Sequence, residues 1–176
     1  MNKRQVLMGA VAVAAALLGA FSAIQLLRPS ESEAAVQALM DLKLPDAAGQ
    51  PTPLAQWKGK PMVVNFWATW CPPCREEMPM LAEASRSPAG QGIQFVGIAM
   101  DDAKAVATYA ENSPTPYPLL VTGMEIGPLM ARLGNGAQAL PFTVFLDRDG
   151  ALHQVKLGEL KAAELNSRLQ ELSAQK

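Results

Sequence analysis

The chain has 176 residues, of which 49% are hydrophobic, and its formal net charge is −1. This length suits one domain with an appendage and excludes two large domains. Of the 15 basic residues only Lys3, Arg4 and Arg28 precede position 30, which leaves 12 basic against 16 acidic residues afterwards, a charge of −4. Because phosphate binding requires clustered basic side chains, nucleic acid is excluded as the main ligand.

The first residues predict a membrane anchor. Lys3 and Arg4 precede Val6–Leu27, an apolar run of 22 residues in which only Ser22 and Gln25 are polar. A helix of this length can cross the hydrocarbon core of a bilayer, about 30 Å thick. The basic residues stay on the cytoplasmic side. We therefore expect residues 1–28 to be a single-pass anchor in the cell inner membrane, with the rest of the chain in the periplasm.

A cleaved signal peptide is the alternative interpretation of the same segment. Ser32-Glu33-Ala34 offers a small-x-small cleavage site, and cleavage there would leave a soluble periplasmic protein. The apolar run is longer than the usual signal peptide core of about 7 to 15 residues, which favours the anchor. Residues 29–38 contain a short polar stretch without periodicity and predict a tether, so residues 39–176 form the working domain.

The first part of this domain predicts a strand, a helix and a second strand. Residues 61–67 and 93–99 are nearly continuous apolar runs, which are typical of strands buried on both faces. Residues 72–87 lie between them and have apolar positions three and four apart, which indicates a helix. This order predicts a pair of parallel strands.

The remaining elements complete an α/β fold. Asp101 and Asp102 can cap a helix that ends near Asn112. The next elements are a strand at 117–122, a helix at 127–133, strands at 142–147 and 151–157 joined through Asp149-Gly150, and a helix at 161–172. The predicted architecture is a central mixed β-sheet flanked by helices, the thioredoxin arrangement with one inserted α-β element.

Cys71 and Cys74, the only cysteines, carry the candidate chemistry. They directly follow a predicted buried strand and begin the next helix, where unpaired N–H groups and the helix dipole stabilise a thiolate. We expect the pKa of Cys71 to fall and Cys71 to be the nucleophile. Cys74 should be more buried and should resolve the mixed disulfide. A structural role is a poor explanation, because so short a loop gains little from closure.

Pro72 and Pro73 separate the two cysteines and lack backbone N–H groups. The loop around Cys71 therefore has fewer donors, and we expect only moderate stabilisation of its thiolate. Since a more stable thiolate makes a protein more oxidising, this favours a reductant.

The segment NFWATWCPPCREEMP, residues 65–79, resembles the active-site segment of the TlpA/ResA-like family of membrane-anchored thioredoxin-like proteins. The upstream stretch LPDAAGQPTPLAQWKGKP, residues 44–61, resembles the N-terminal hairpin of that family. The inserted segment and Leu140-Pro141-Phe142-Thr143 also match, so the resemblance spans about residues 41–172. It implies a thioredoxin fold with an N-terminal hairpin extension and a thiol-disulfide oxidoreductase.

The resemblance also implies roles for single residues. Pro141 would follow a cis peptide bond and, with Leu140 and Trp70, bind the substrate; an ordinary trans proline opening a strand is the alternative. Glu77 would help to move the Cys74 proton, unless it is a solvated acid favoured by the helix dipole. Asn65 stands where ordinary thioredoxins have a buried aspartate, and a buried hydrogen bond is its expected role.

The same resemblance implies partners. A reductase in an oxidising compartment needs electrons from the cytoplasm, and a membrane carrier of the DsbD or CcdA kind would supply them to the Cys71–Cys74 pair. The expected acceptors are disulfide-bearing exported proteins, for example apocytochromes c or copper-assembly proteins. We expect a monomer that needs no cofactor and no metal.

Two other functions are compatible with parts of the pattern. A thiol peroxidase of the same fold would have Thr or Ser three residues before the reactive cysteine, where this chain has Ala68. A non-catalytic adaptor would not need Cys71, Cys74 and Pro141 together. A zinc site lacks ligands, because His153 is the only histidine and lies on a distant predicted strand.

Overall fold

A computed structural model describes residues 30–174, together with Asn2, Leu17 and Gly19. The chain divides into two compact units, Met1–Ser30 and Glu31–Lys176. Apart from Leu17 and Gly19, the predicted anchor Val6–Leu27 lies outside the described residues. Within the described residues, no helix is both long and apolar enough to cross a membrane.

The second unit alternates helices and strands. In chain order its elements are α1 (Glu31–Met40), β1 (Lys43–Pro45), β2 (Pro51–Pro53), a 3₁₀ turn (Leu54–Trp57), β3 (Met62–Trp67), α2 (Pro72–Arg86), a 3₁₀ turn (Pro88–Gly90), β4 (Gln94–Met100), α3 (Ala103–Asn112), β5 (Leu119–Thr122), a 3₁₀ turn (Met124–Ile126), α4 (Gly127–Arg132), β6 (Phe142–Leu146), β7 (Leu152–Leu157) and α5 (Ala162–Ala174). Each predicted helix and strand of the domain is present, with ends shifted by a few residues. Strand β5 begins after Pro118, which cannot donate a backbone hydrogen bond to a neighbouring strand.

Five strands form the central sheet in the order β5-β4-β3-β6-β7. Strand β3 pairs with β4 in parallel and with β6 in antiparallel, so the sheet is mixed, as the sequence predicts. Strands β1 and β2 form a separate antiparallel hairpin, as expected of the N-terminal extension. Every residue of β3 is buried, because this central strand is covered on both faces.

Alternating side chains of the strands contribute to two apolar cores, one on each face of the sheet. Helices α2, α3 and α5 cover the face to which Val63 and Trp67 of β3 belong. Helices α1 and α4 cover the face of Val64 and Phe66. The domain is thus one layer of strands between two layers of helices.

The predicted tether at residues 29–38 is wrong, because helix α1 begins at Glu31. Glu31 and Glu33 lie in its first turn, where the helix dipole favours acidic residues. The buried residues Val36 and Leu39 then repeat at helical spacing and pack in the same core as α4. The polar start of the segment concealed this apolar face, and the folded domain begins earlier than expected.

Replacing Leu39 with alanine tests whether α1 belongs to the folded domain. Leu39 is fully buried, so we expect Leu39→Ala to lower the free energy of unfolding by about 2 to 5 kcal/mol. Gln37→Ala, at an exposed position of the same helix, should change it by less than about 0.5 kcal/mol. Urea unfolding of the full chain measures both. Equal, small effects would mean that α1 is a tether after all.

Candidate active site

Strand β3 and helix α2 position Cys71. The strand ends at Trp67, and a short turn through Thr69 leads to Cys71, which is the N-cap residue of α2. The Cys71 N–H donates to the Ala68 carbonyl at 3.2 Å, and the Cys71 carbonyl accepts from the Arg75 N–H at 3.2 Å. The backbone of Cys71 is therefore fixed on both sides, at the end of the helix that favours negative charge.

Cys71 and Cys74 form a disulfide with an S–S distance of 2.04 Å. Cys71 is 5% exposed and Cys74 is completely buried. The order of burial agrees with the prediction that Cys74 is the more buried of the two. Pro72 and Pro73 occupy the first positions of α2, and the Cys71 side chain makes no capping hydrogen bond to the part of the chain that the structure describes.

Asp101 stabilises the turn that precedes Cys71, a role that the sequence analysis missed. One carboxylate oxygen of Asp101 accepts hydrogen bonds from the N–H and the hydroxyl of Thr69, at 2.7 and 2.6 Å. Of the two residues expected to cap α3, Asp102 does so: its side chain accepts from the backbone N–H groups of Lys104 and Ala105. The sequence signal for this contact was Thr69 in the turn together with an acidic residue, Asp101, at the end of the neighbouring parallel strand.

Glu77 lies on α2 one turn after Cys74 and is only 2% exposed. This burial rules out the alternative of a solvated first-turn acid, whereas its neighbour Glu76 is exposed. The Leu160 N–H donates to Glu77 Oε2 at 3.0 Å, and Asn65 Nδ2 donates to Glu77 Oε1 at 2.7 Å. Side chains three residues apart share a helix face, so the carboxyl group lies on the same side of α2 as Cys74.

The environment of Glu77 raises the pKa of its carboxyl group. Burial raises the pKa of Glu77 above its ordinary value of 4.5, and the charge of Glu159 acts in the same direction. The two hydrogen bonds and the charge of Lys156 lower the pKa but do not cancel the effect of burial. A carboxyl group whose pKa is raised can accept a proton from a neighbouring thiol and release it again.

Asn65 makes the buried hydrogen bonds that were predicted for it. Its Nδ2 atom, besides binding Glu77, donates to Thr143 Oγ1 at 3.1 Å. Both Asn65 and Thr143 are buried, and they lie directly opposite each other on β3 and β6. The amide thus connects Glu77 to the strand that follows Pro141.

The peptide bond between Leu140 and Pro141 is cis, as predicted. The Pro141 carbonyl accepts from the Gly158 N–H at 2.9 Å. The loop before Pro141 is held by Asn135, whose amide donates to the Ala139 carbonyl at 2.8 Å and accepts from the Ala139 N–H at 3.1 Å. Asn135 is fully buried, and sequence reasoning missed it because a lone Asn in a loop has many possible roles.

The tryptophans beside the cysteines differ in exposure. Trp70, directly before Cys71, is 61% exposed, whereas Trp67 is fully buried and packs against the ring of Tyr109 at a centroid distance of 4.8 Å. The only histidine, His153, lies on β7 with Nε2 3.4 Å from Glu171. Among the described residues, no cluster of three or more His, Cys, Asp or Glu side chains is arranged to hold a metal ion.

A model of the AhpC/TSA family matches residues 36–155, more than half of the chain. The chain belongs to the AhpC/TSA family. One similar protein is the thioredoxin-like protein YneN of Bacillus subtilis. It is 28% identical over 133 residues, which cover 73% of this chain and 75% of YneN. The thiol-disulfide oxidoreductase ResA of Geobacillus thermodenitrificans is 26% identical over 133 residues, covering 75% of this chain and 74% of ResA.

A solved structure of similar fold is the thiol:disulfide interchange protein, a thioredoxin family protein, from Chlorobium tepidum. It is 28% identical, with a TM-score of 0.64, and the match covers 75% of this chain and 96% of that one. The thioredoxin fold and the ResA-like resemblance are thereby confirmed. This AhpC/TSA family member is a thiol-disulfide oxidoreductase with a Cys71–Cys74 redox disulfide.

The raised pKa of Glu77 predicts how stability depends on pH. The folded chain retains the Glu77 proton at pH values where the unfolded chain has released it, so the stability gained is complete below pH 4.5 and is lost as the pH rises through the folded-state pKa. We expect the free energy of unfolding of the oxidised wild type to fall over this range relative to that of Glu77→Gln, because glutamine cannot ionise.

Urea unfolding of both oxidised proteins between about pH 4 and pH 8 measures this difference. Glu76→Gln, at an exposed position of the same helix, is the control and should follow the wild type. A difference between wild type and Glu77→Gln that is independent of pH, or a wild type that becomes more stable relative to Glu77→Gln as the pH rises, would contradict the assignment.

Proposed function

We propose that this oxidoreductase acts as a reductant of disulfides in exported proteins. The observation that carries the proposal is the position of Cys71 at the N-terminus of α2, followed by two prolines that remove backbone donors from the first turn. The dipole still favours a thiolate there, but with fewer hydrogen bonds. A moderately stabilised thiolate belongs to a reductant, because stronger stabilisation would make the reduced form too favourable.

The reaction uses two sulfur exchanges. The Cys71 thiolate attacks one sulfur of the substrate disulfide, a mixed disulfide forms, and the other substrate sulfur leaves as a thiolate. Cys74 then gives its proton to Glu77 and attacks Cys71, so the second substrate sulfur also leaves as a thiolate. The substrate gains two electrons, and the enzyme returns to the Cys71–Cys74 disulfide seen in the structure.

Three residues around the pair are proposed to bind the substrate. Leu140 and the cis-linked Pro141 precede β6, which is the neighbour of β3 in the sheet. Their backbone would pair with the extended chain of a substrate on one side of the scissile disulfide. The exposed Trp70 ring would cover its apolar side chains on the other.

The proposed location is the cell inner membrane, with the domain facing the periplasm. Support comes from the sequence, in which Lys3 and Arg4 precede the apolar run Val6–Leu27; the alternative is a soluble periplasmic protein after signal cleavage. In that oxidising compartment the cysteine pair is reoxidised continually. A membrane thiol-disulfide carrier of the DsbD or CcdA kind would therefore reduce Cys71–Cys74 for each turnover. Apocytochromes c and copper-assembly proteins are the proposed acceptors.

Replacing Cys74 with serine tests this proposal in the full chain. Without Cys74 the mixed disulfide on Cys71 persists, so we expect Cys74→Ser to accumulate covalent complexes with exported proteins that contain cysteine pairs. Mass spectrometry after non-reducing separation identifies them. The matched control is the double variant Cys71→Ser/Cys74→Ser, which should capture none.

Two results would overturn the proposal. Equal capture by the single and the double variant would indicate a non-catalytic adaptor. Consumption of peroxide by the wild-type chain faster than its reduction of a protein disulfide would instead indicate a thiol peroxidase.

A further inference from the structure

A polar row crosses the central sheet under helix α2. Asn65, Thr143 and Lys156 lie directly opposite one another on the neighbouring strands β3, β6 and β7. Directly opposed residues of neighbouring strands share a face, and this face is otherwise packed with side chains such as Val63 and those of α2. Burying polar groups on such a face costs free energy unless they form hydrogen bonds with each other.

Asn65 holds one oxygen of the Glu77 carboxyl group, and the chain after β7 holds the other. Asn65 Nδ2 donates to Glu77 Oε1 at 2.7 Å, while the Leu160 N–H donates to Oε2 at 3.0 Å. Both partners are donors, so both stabilise the charged carboxylate. The Leu160 N–H can only donate. The Asn65 amide has a donor, Nδ2, and an acceptor, Oδ1, and its orientation decides which of the two faces Glu77.

The buried surroundings of Asn65 favour the orientation in which the amide donates to Glu77 and to Thr143. The Thr143 Oγ1 atom accepts from the same Nδ2 at 3.1 Å. Asn65 Oδ1 is buried and meets no hydrogen-bond partner among the described residues. Rotating the amide would leave Nδ2, with two hydrogens, in that position, and an unpaired buried donor is costly.

We propose that Asn65, held in place by its hydrogen bond to Thr143, is a positioning residue for thiol-disulfide exchange, which holds the Glu77 carboxyl group on the Cys74 side of α2 in its charged, proton-accepting form. The inference rests on the proposed role of Glu77 and adds the residue that makes the role possible. Burial raises the pKa of Glu77 and so favours its protonated form, which cannot accept the Cys74 proton. The hydrogen bond from Asn65 opposes that tendency at the oxygen not held by Leu160.

The proton transfer is a balanced step. The S–H bond of Cys74 breaks, an O–H bond forms on Glu77, and the new thiolate displaces the substrate sulfur from Cys71. Glu77 returns the proton to solvent once the disulfide has closed. Asn65 neither gives nor takes a proton in this step. Its effect is therefore on the pH range in which Glu77 can accept the Cys74 proton.

Several other groups act on the charge of Glu77. Lys156 on β7 lowers the pKa of Glu77, and Glu159 in the loop before α5 raises it. Tyr117, before β5, is close enough that the charge of Glu77 contributes to raising the pKa of the tyrosine. Cys74 lies on the same helix. An aspartate in place of Asn65 would add a second carboxylate at hydrogen-bond distance, and one of the two acids would then retain a proton.

The test is a stopped-flow reaction of the reduced full chain with dithionitrobenzoate across a pH series. Attack by Cys71 releases the first thionitrobenzoate, and attack by Cys74 on the mixed disulfide releases the second, so the second phase reports on Cys74. In the wild type this phase should accelerate as Glu77 loses its proton. Glu77→Gln should slow it and remove that pH dependence.

Removal of the amide should move the pH profile and not merely lower the rate. We expect Asn65→Leu to move the midpoint of the second phase to higher pH, and a midpoint one pH unit higher makes the rate below it about tenfold slower. Asn65→Asp should move it further. Thr143→Val should move it in the same direction by less. Asn112→Leu, which removes an exposed amide on α3, is the control and should keep the wild-type profile.

Each outcome separates this inference from the proposed function. If Glu77→Gln leaves the second phase unchanged, the role of Glu77 itself is wrong. If Glu77→Gln slows the phase but Asn65→Leu keeps the wild-type midpoint, or lowers the rate equally at every pH, Asn65 is only structural and the inference is overturned. Should circular dichroism show that neither Asn65 variant folds, Thr143→Val decides: a midpoint at higher pH supports the inference, and an unmoved one overturns it.

Discussion

The start of helix α2 is the constraint on which the rest of the site depends. A helix N-terminus attracts negative charge only within its first turn, so the nucleophilic sulfur must be placed there and held. Strand β3 does this, because it is buried along its whole length and paired on both sides. Asp101, at the end of the neighbouring strand β4, fixes the short turn between strand and helix through Thr69.

The pairing of β3 with β6 brings the other functional segments to the same place. Because Asn65 is opposite Thr143 and Phe66 is opposite Phe142, the cis-linked Pro141 comes next to the end of β3 from which Cys71 projects. The loop after β7 then contacts both parts, with Gly158 bound to Pro141 and Leu160 bound to Glu77. The nucleophile, the proposed substrate-binding backbone and the proposed proton acceptor are thus fixed by one sheet.

Local patterns predicted much of this arrangement. The lengths and compositions of the apolar runs at β3 and β4 are typical of buried strands. Two cysteines three residues apart at a strand-to-helix junction indicate redox chemistry. The cis bond at Pro141 came from family resemblance, since a proline before a strand is usually trans. Helix α1 was missed because its acidic first turn resembles a linker, while its apolar residues find a partner only in the folded core.

Most of the hydrogen bonds that tune the site were not predicted, because they join residues distant in sequence. Asp101 reaches Thr69 across 32 positions, and Leu160 reaches Glu77 across 83. For Asn65, the sequence predicted a buried hydrogen bond but not its partner. Thr143 becomes that partner through the register of β3 and β6. Such contacts depend on sheet register and loop path, which composition and periodicity do not determine.

The reduction potential of the Cys71–Cys74 pair shows whether the start of α2 stabilises the thiolate only moderately, because it measures how strongly the reduced pair is stabilised relative to the disulfide. The full chain is equilibrated with mixtures of reduced and oxidised dithiothreitol, and its disulfide content is measured at each ratio. We expect a single two-electron transition well below the value of about −120 mV found for the strong oxidant DsbA. A potential close to that value, or the absence of a two-electron transition at this pair, would contradict this expectation.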